Sequence, residues 1–177
     1  MIDNNTIEFR PLHADEIDVR VGQVYERGCT MLLYKDARVD MRILDETVGA
    51  LNWQRAHKEV KGNLYCGIAI WDSCKDEWVW KWDCGTESNT EKEKGEASDS
   101  FKRAGVNWGI GRELYTSPFI WLTVATVKEG NRYKLNNPNE LRGIYVSEIA
   151  TQNGEITNLV LSQNAQGKAY EIWRMKK

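Results

Sequence analysis

The sequence predicts an α+β fold: a helix, a three-stranded antiparallel meander and a long helix (a β-β-β-α core), with a C-terminal β-rich extension. Three observations carry this. Ala97, Phe101, Ala104 and Trp108 recur at i, i+4, i+7 and i+11, an arc of roughly 60° on a 3.6-residue helix. Glu77–Asp83 (EWVWKWD) alternates strictly, which puts Trp78, Trp80 and Trp82 on one side of a strand. Asn153-Gly154 between two apolar runs is a strong hairpin signal. The expected division is a core over residues 1–118 and an extension over 119–177 packed on the same domain.

Taken in order, residues 1–13 read as a loose tail. Ala14 to Tyr25 has Ile17, Val21 and Val24 at helical spacing, and Thr30–Tyr34 reads as a short strand. A helix over Arg38–Ala50 follows from Met41, Leu44, Val48 and Leu51, with Gly49 near its end. Arg38 stands at its start, where a cation opposes the macrodipole. It is either an ordinary surface residue or one kept for an external anion.

The meander comprises Asn52–Val60, Leu64–Trp71 and Glu77–Asp83, with a glycine turn at Lys61-Gly62-Asn63. Its three tryptophans could stack on bases, but such a face is more often core or interface. Beyond Tyr115, Phe119–Val127, Leu141–Ala150, Ile156–Ser162 and Lys168–Trp173 are strand-like.

The long helix is the most informative stretch. Ser88 with Glu91, or Thr90 with Glu93, fits a capping box, and Gly109 and Gly111 mark the exit. Gly95, Ser98, Gly105 and Gly109 form a small-residue strip. That strip suits a neighbouring subunit or phosphate chain, or equally tight packing within the fold. With the apolar stripe pinned, Lys102 and Arg103 leave on the two free flanks. Asp99 is spaced to pair with either.

The chain has 177 residues and a net charge of −2, so a polyanion could be held only by a local basic groove. The N-terminus MIDNNTIEFR lacks a signal-peptide core, and no apolar run is long enough to cross a membrane, which predicts a cytoplasmic protein. The four cysteines form no C-x-x-C pair, so a metal site is not expected and reduced thiols are. His57 alternates with Trp53, Arg55 and Glu59 on a strand, where a structural role is the common one. There is no G-x-x-x-x-G-K-[ST], G-x-S-x-G or H-E-x-x-H, and the G-x-G at Gly109–Gly111 follows a helix instead of a strand. No catalytic residue and no cofactor are expected.

The segment GTESNTEKEKGEASDSFKRAGVNWGIGRELY (85–115), and with it ARVDMRILDETVGALNW (37–53), resembles the annealing domain of the Rad-fifty-two superfamily. The likeness is to its phage branch, the Sak-type single-strand annealing proteins, and covers roughly residues 14–118. The shared features are a glycine-containing entry, a polar helix start, a Lys-Arg pair before an aromatic-glycine segment, and an arginine-led helix.

The resemblance implies an ATP-independent, ring-forming homo-oligomer that binds single-stranded DNA and anneals complementary strands in recombination and repair. Lys102 and Arg103 match the inner-groove pair, and Arg38 matches the arginine heading the earlier helix. Lys75 is similar to a secondary outer-site lysine, and Lys92 and Lys94 are candidates for a basic residue that the shorter stretch after Gly85 lacks. The resemblance leaves room for double-stranded DNA at a second site and for a host or phage single-strand binding protein. The C-terminal part departs from the family pattern. Two other classes remain: a protein-only assembly module, and a small cytosolic enzyme built on Asp/Glu and His57.

Overall fold

The computed structural model describes residues 6–85, 92–165 and 167–176. The strands are β1 (Asp18–Tyr25), β2 (Gly28–Tyr34), β3 (Trp53–Val60), β4 (Asn63–Asp72), β5 (Glu77–Cys84), β6 (Ile120–Leu122), β7 (Thr126–Glu129), β8 (Arg132–Leu135), β9 (Ile144–Gln152), β10 (Glu155–Ala165) and β11 (Lys168–Arg174). The α-helices among the described residues are α1 (Ala37–Val48) and α2 (Lys92–Trp108).

This corrects the expected class. The protein is mostly β: 49% of residues are strand, and the described residues form eleven strands in four small antiparallel sheets, not an α+β core built on helices. Part of the reason lies in Ala14–Tyr25, which is no helix: a 3₁₀ turn at Ala14–Glu16 leads into β1. The register of β1 on β2 shifts between Val21 and Val24. That irregularity breaks the alternation of two and leaves a spacing that mimics a helix. Phe119–Val127 likewise divides into β6 and β7, and β7 pairs with β8 across the Gly130-Asn131 turn.

The chain forms two compact units, Met1–Pro11 with Asp36–Arg112, and Leu12–Lys35 with Glu113–Lys177. The second unit contains the sheets β1-β2-β6 and β11-β10-β9 and the hairpin β7-β8. Leu159, Val160 and Leu161 of β10 are buried in it. Asn153 and Gly154 both take positive φ in the β9–β10 turn, the conformation a two-residue hairpin requires.

The first unit is a meander, β3-β4-β5, with α2 across one face. Register places Trp53, Ile70 and Val79 side by side, then Arg55, Ile68 and Lys81, then His57, Cys66 and Asp83. All these side chains share the face under α2, because neighbours across a ladder point the same way. Phe101 and Ala104 are fully buried there, and the Trp108 indole N–H donates to the Ile68 carbonyl at 3.0 Å. Burying Phe101 contributes about 2–3 kcal/mol.

On the opposite face Trp80 and Trp82 stack at 5.2 Å and Trp71 meets Trp78 edge-on. Trp82 lies flat over Gly67, where a Cβ would come within 2.6 Å of the indole. Lys58 Nζ sits 3.7 Å from the Trp82 ring centroid.

α1 begins at Asp36, whose carboxylate accepts the Arg38 backbone N–H at 2.8 Å. It packs against α2 at Gly105, where an added Cβ would collide with the carboxylate of buried Asp40. The small-residue strip is thus used inside the fold at Gly105. The capping positions expected around Ser88 and Thr90 lie outside the described residues, while Gly109 and Gly111 take positive φ after α2.

Gly105→Ala tests the α1–α2 contact. Alanine gains about 1 kcal/mol of helix propensity, but overpacking against a buried carboxylate costs about 1–3 kcal/mol. The expected net result is a lower urea midpoint with an unchanged slope.

Candidate nucleic-acid interface

The predicted cations fall into different surroundings. Arg103 leaves α2 toward β5, and its Nε lies 3.2 Å from Asp83 Oδ1. Asp83 also accepts from the Asn107 side chain at 3.2 Å. Arg103 is therefore tied down, although nearly half of its side chain is exposed. Lys102 leaves on the other flank, one turn beyond Ser98, and makes no ion pair among the described residues.

Lys75, in the β4–β5 turn, pairs with Asp72 at 2.9 Å. The hydrogen bond between them raises the lysine pKa and lowers that of the aspartate. The side chains of Lys92 and Lys94 lie outside the described residues.

Arg38 is the most solvent-exposed of the predicted set whose side chains are described. Its side chain is 85% exposed, and its guanidinium is 3.8 Å from Asp36, a distance at the limit of an ion pair. It stands at the edge of an open cleft of about 310 Å³ between the start of α1, strand β3 and helix α2. Ala97, Ser98 and Phe101 of α2 line one wall, and Arg55 and His57 of β3 line another. Ser98 and Lys102, four residues apart, share one flank of α2, so Lys102 stands one turn along the helix from the cleft lining.

Helical spacing therefore puts Lys102 on the flank of α2 that carries Ser98, while Arg103 goes to Asp83 on the other. Arg55 joins the cleft although the sequence reading gave it no role. The available signal was its alternation with Trp53, which placed a cation on the face that packs under α2.

A second cleft, of about 360 Å³, is lined by Trp71, Lys75, Lys81 and Trp108. Lys81 is engaged there: its ammonium donates to the Asn107 carbonyl at 3.0 Å and lies 4.3 Å from the Trp108 ring centroid. Burial, and then the nearby charge of Arg112, lowers its pKa.

No family model, curated protein or solved structure matches this chain. No group of three or more metal-ligating side chains is found among the described residues, and no helix among them is long and apolar enough to cross a membrane.

Of the free cysteines, Cys29 and Cys66 are buried. Burial pushes the Cys66 thiol up to about 11, with Arg55 opposing the rise. A thiol so held is a poor nucleophile at neutral pH.

The same shift has a consequence for stability. Between the ordinary thiol value of 9.0 and about 11 the unfolded chain ionises Cys66 while the folded chain keeps its proton. Stability is thus fully present below pH 9 and falls as the pH rises toward 11. Cys66→Ala is expected to flatten that part of the alkaline limb in urea melts recorded at successive pH values.

Proposed function

We propose that this protein binds single-stranded DNA through the α1–α2 side of its first unit and anneals complementary strands without ATP, as a homo-oligomer. It belongs, on this reading, with the Sak-type annealing proteins of the Rad-fifty-two superfamily and works in the cytoplasm of a bacterial host. The observation that carries the reading is the cleft edged by Arg38, whose side chain is 85% exposed and held only by a long 3.8 Å ion pair with Asp36, so that it can reach an external anion. The Lys-Arg segment that resembles the family supports it from the sequence side. An acidic chain is no obstacle, because repeating a few cations around an assembly makes a continuous track. Phosphate contacts leave the bases free to find a complement, and they carry no sequence information. Annealing needs no bond made or broken, so the protein is not an enzyme.

A second reading, a protein-only assembly module, is favoured by one feature of the second unit. Phe119, 74% exposed, stacks on Trp121 at 6.3 Å, and Tyr25 meets Trp121 at 5.6 Å. A partly exposed aromatic cluster of this kind suits a contact with another protein chain.

Lys102→Ala separates the two. On the annealing reading it weakens binding to oligonucleotides of every sequence, lowers the salt slope, and leaves the melting temperature near the parent's. Annealing by the parent proceeds with ATP and magnesium omitted. A parent that assembles by light scattering yet binds no single strand at low salt supports the assembly module instead.

A further inference from the structure

We infer that Arg55, with His57 beside it on β3, forms a phosphate-binding cleft with Arg38, and that this cleft is the principal backbone contact for single-stranded DNA. The inference rests on the annealing reading and refines it. It shifts the weight of binding away from the Lys-Arg pair of α2 and onto a strand residue outside the motif that suggested DNA binding.

Arg55 is held in place by an aromatic ring. Its guanidinium lies over the Phe101 ring, 5.2 Å from the centroid, and Phe101 is 1% exposed and itself fixed against Trp53. An aromatic face orients an arginine without consuming its hydrogen-bond donors, unlike a carboxylate. Arg55 makes no ion pair among the described residues, and it is exposed. A planar fork that is held in place, wet on one side and unneutralised suits a phosphodiester oxygen pair.

Arg38 enters the cleft from α1, and Ser98 offers a hydroxyl from α2. His57 lies two residues from Arg55 on the same strand face, about 7 Å along it. That separation lets the pair serve adjoining parts of one extended backbone. The carboxylate in the lining is Asp36, which already caps α1 and faces Arg38. Two guanidiniums thus meet one engaged carboxylate.

Three other cations of the first unit already have partners. Arg103 is bound to Asp83, Lys75 to Asp72, and Lys81 to a helix carbonyl and an indole. Each would have to give up a partner before meeting a phosphate. The cleft takes phosphate and not base, since Phe101 at its floor is closed to a stacking base by its burial.

The test uses the full chain and fluorescent oligo(dT) at several salt concentrations, with Arg55→Gln as the main variant. The expected result is about tenfold weaker binding and a salt slope lower by about 0.7, one single-strand phosphate contact. Arg103→Gln is expected to change less.

Arg55→Gln also removes the contact with Phe101, so a second measurement uses the parent protein alone. Phenylglyoxal modification, mapped by mass spectrometry, is expected to slow several-fold at Arg38 and Arg55 when oligo(dT) is added. Arg132 in the second unit is expected to react as before. If the parent binds oligo(dT) but Arg55→Gln binds equally well with the same slope, the cleft is overturned and the annealing reading stands. Unprotected Arg55 under saturating DNA overturns it equally, even where the variant does not fold. A parent that binds no single strand overturns both.

Discussion

The first unit depends on a helix lying close to a three-stranded sheet. α2 can do so because its sheet-facing residues alternate large with small: Phe101 and Trp108 fill space while Ala97 and Ala104 let the backbone down. The entry requires glycine too, since a Cβ on Gly85 would meet the carbonyl of Glu96 and the amide of Ser100. The Trp108 N–H closes on a β4 carbonyl and spares a buried donor the cost of desolvation. Once this contact is made, the flanks of α2 are set, and with them the directions of Lys102 and Arg103.

Much of the local structure was legible in the sequence, and the class was not. The tryptophan alternation of β5 and the Asn153-Gly154 turn are short-range signals with a direct physical basis, and their strands run where those signals put them. The balance of the fold is set by features with weak local signatures. The irregularity in β1 imitates a helix, β6 has three residues, and β7 and β8 have four each. Segments this short have too few residues to establish a period. They are strands because their partners are strands.

The site was legible as a list of cations and not as an arrangement. Helical spacing showed that Lys102 and Arg103 diverge, but nothing local could say that Asp83, twenty residues earlier, would take Arg103. Spacing also offers Asp99 as a partner, because it is the carboxylate within one turn of both cations. Arg38 could be placed from its position at a helix start. Arg55 could have been found by asking why a strand face that carries Trp53 also carries a guanidinium and an imidazole.

That question has a physical answer. A cation on a face packed under a helix must be matched by a carboxylate, stacked on a ring, or left reaching for solvent at the edge. Asp83 and Arg103 follow the first course at the β5 edge, and Lys81 under Trp108 the second. Arg55 follows the second and third together, stacked on Phe101 and exposed. An ion pair satisfies both partners and leaves little charge to attract a polyanion. A cation on an aromatic face keeps its full charge and most of its donors, and its field is felt beyond the protein surface. In a chain with net charge −2, where cations stand without carboxylates matters more than how many there are. On that criterion the α1–β3–α2 cleft, where Arg55 keeps its charge on an aromatic ring, offers a phosphate group little competition.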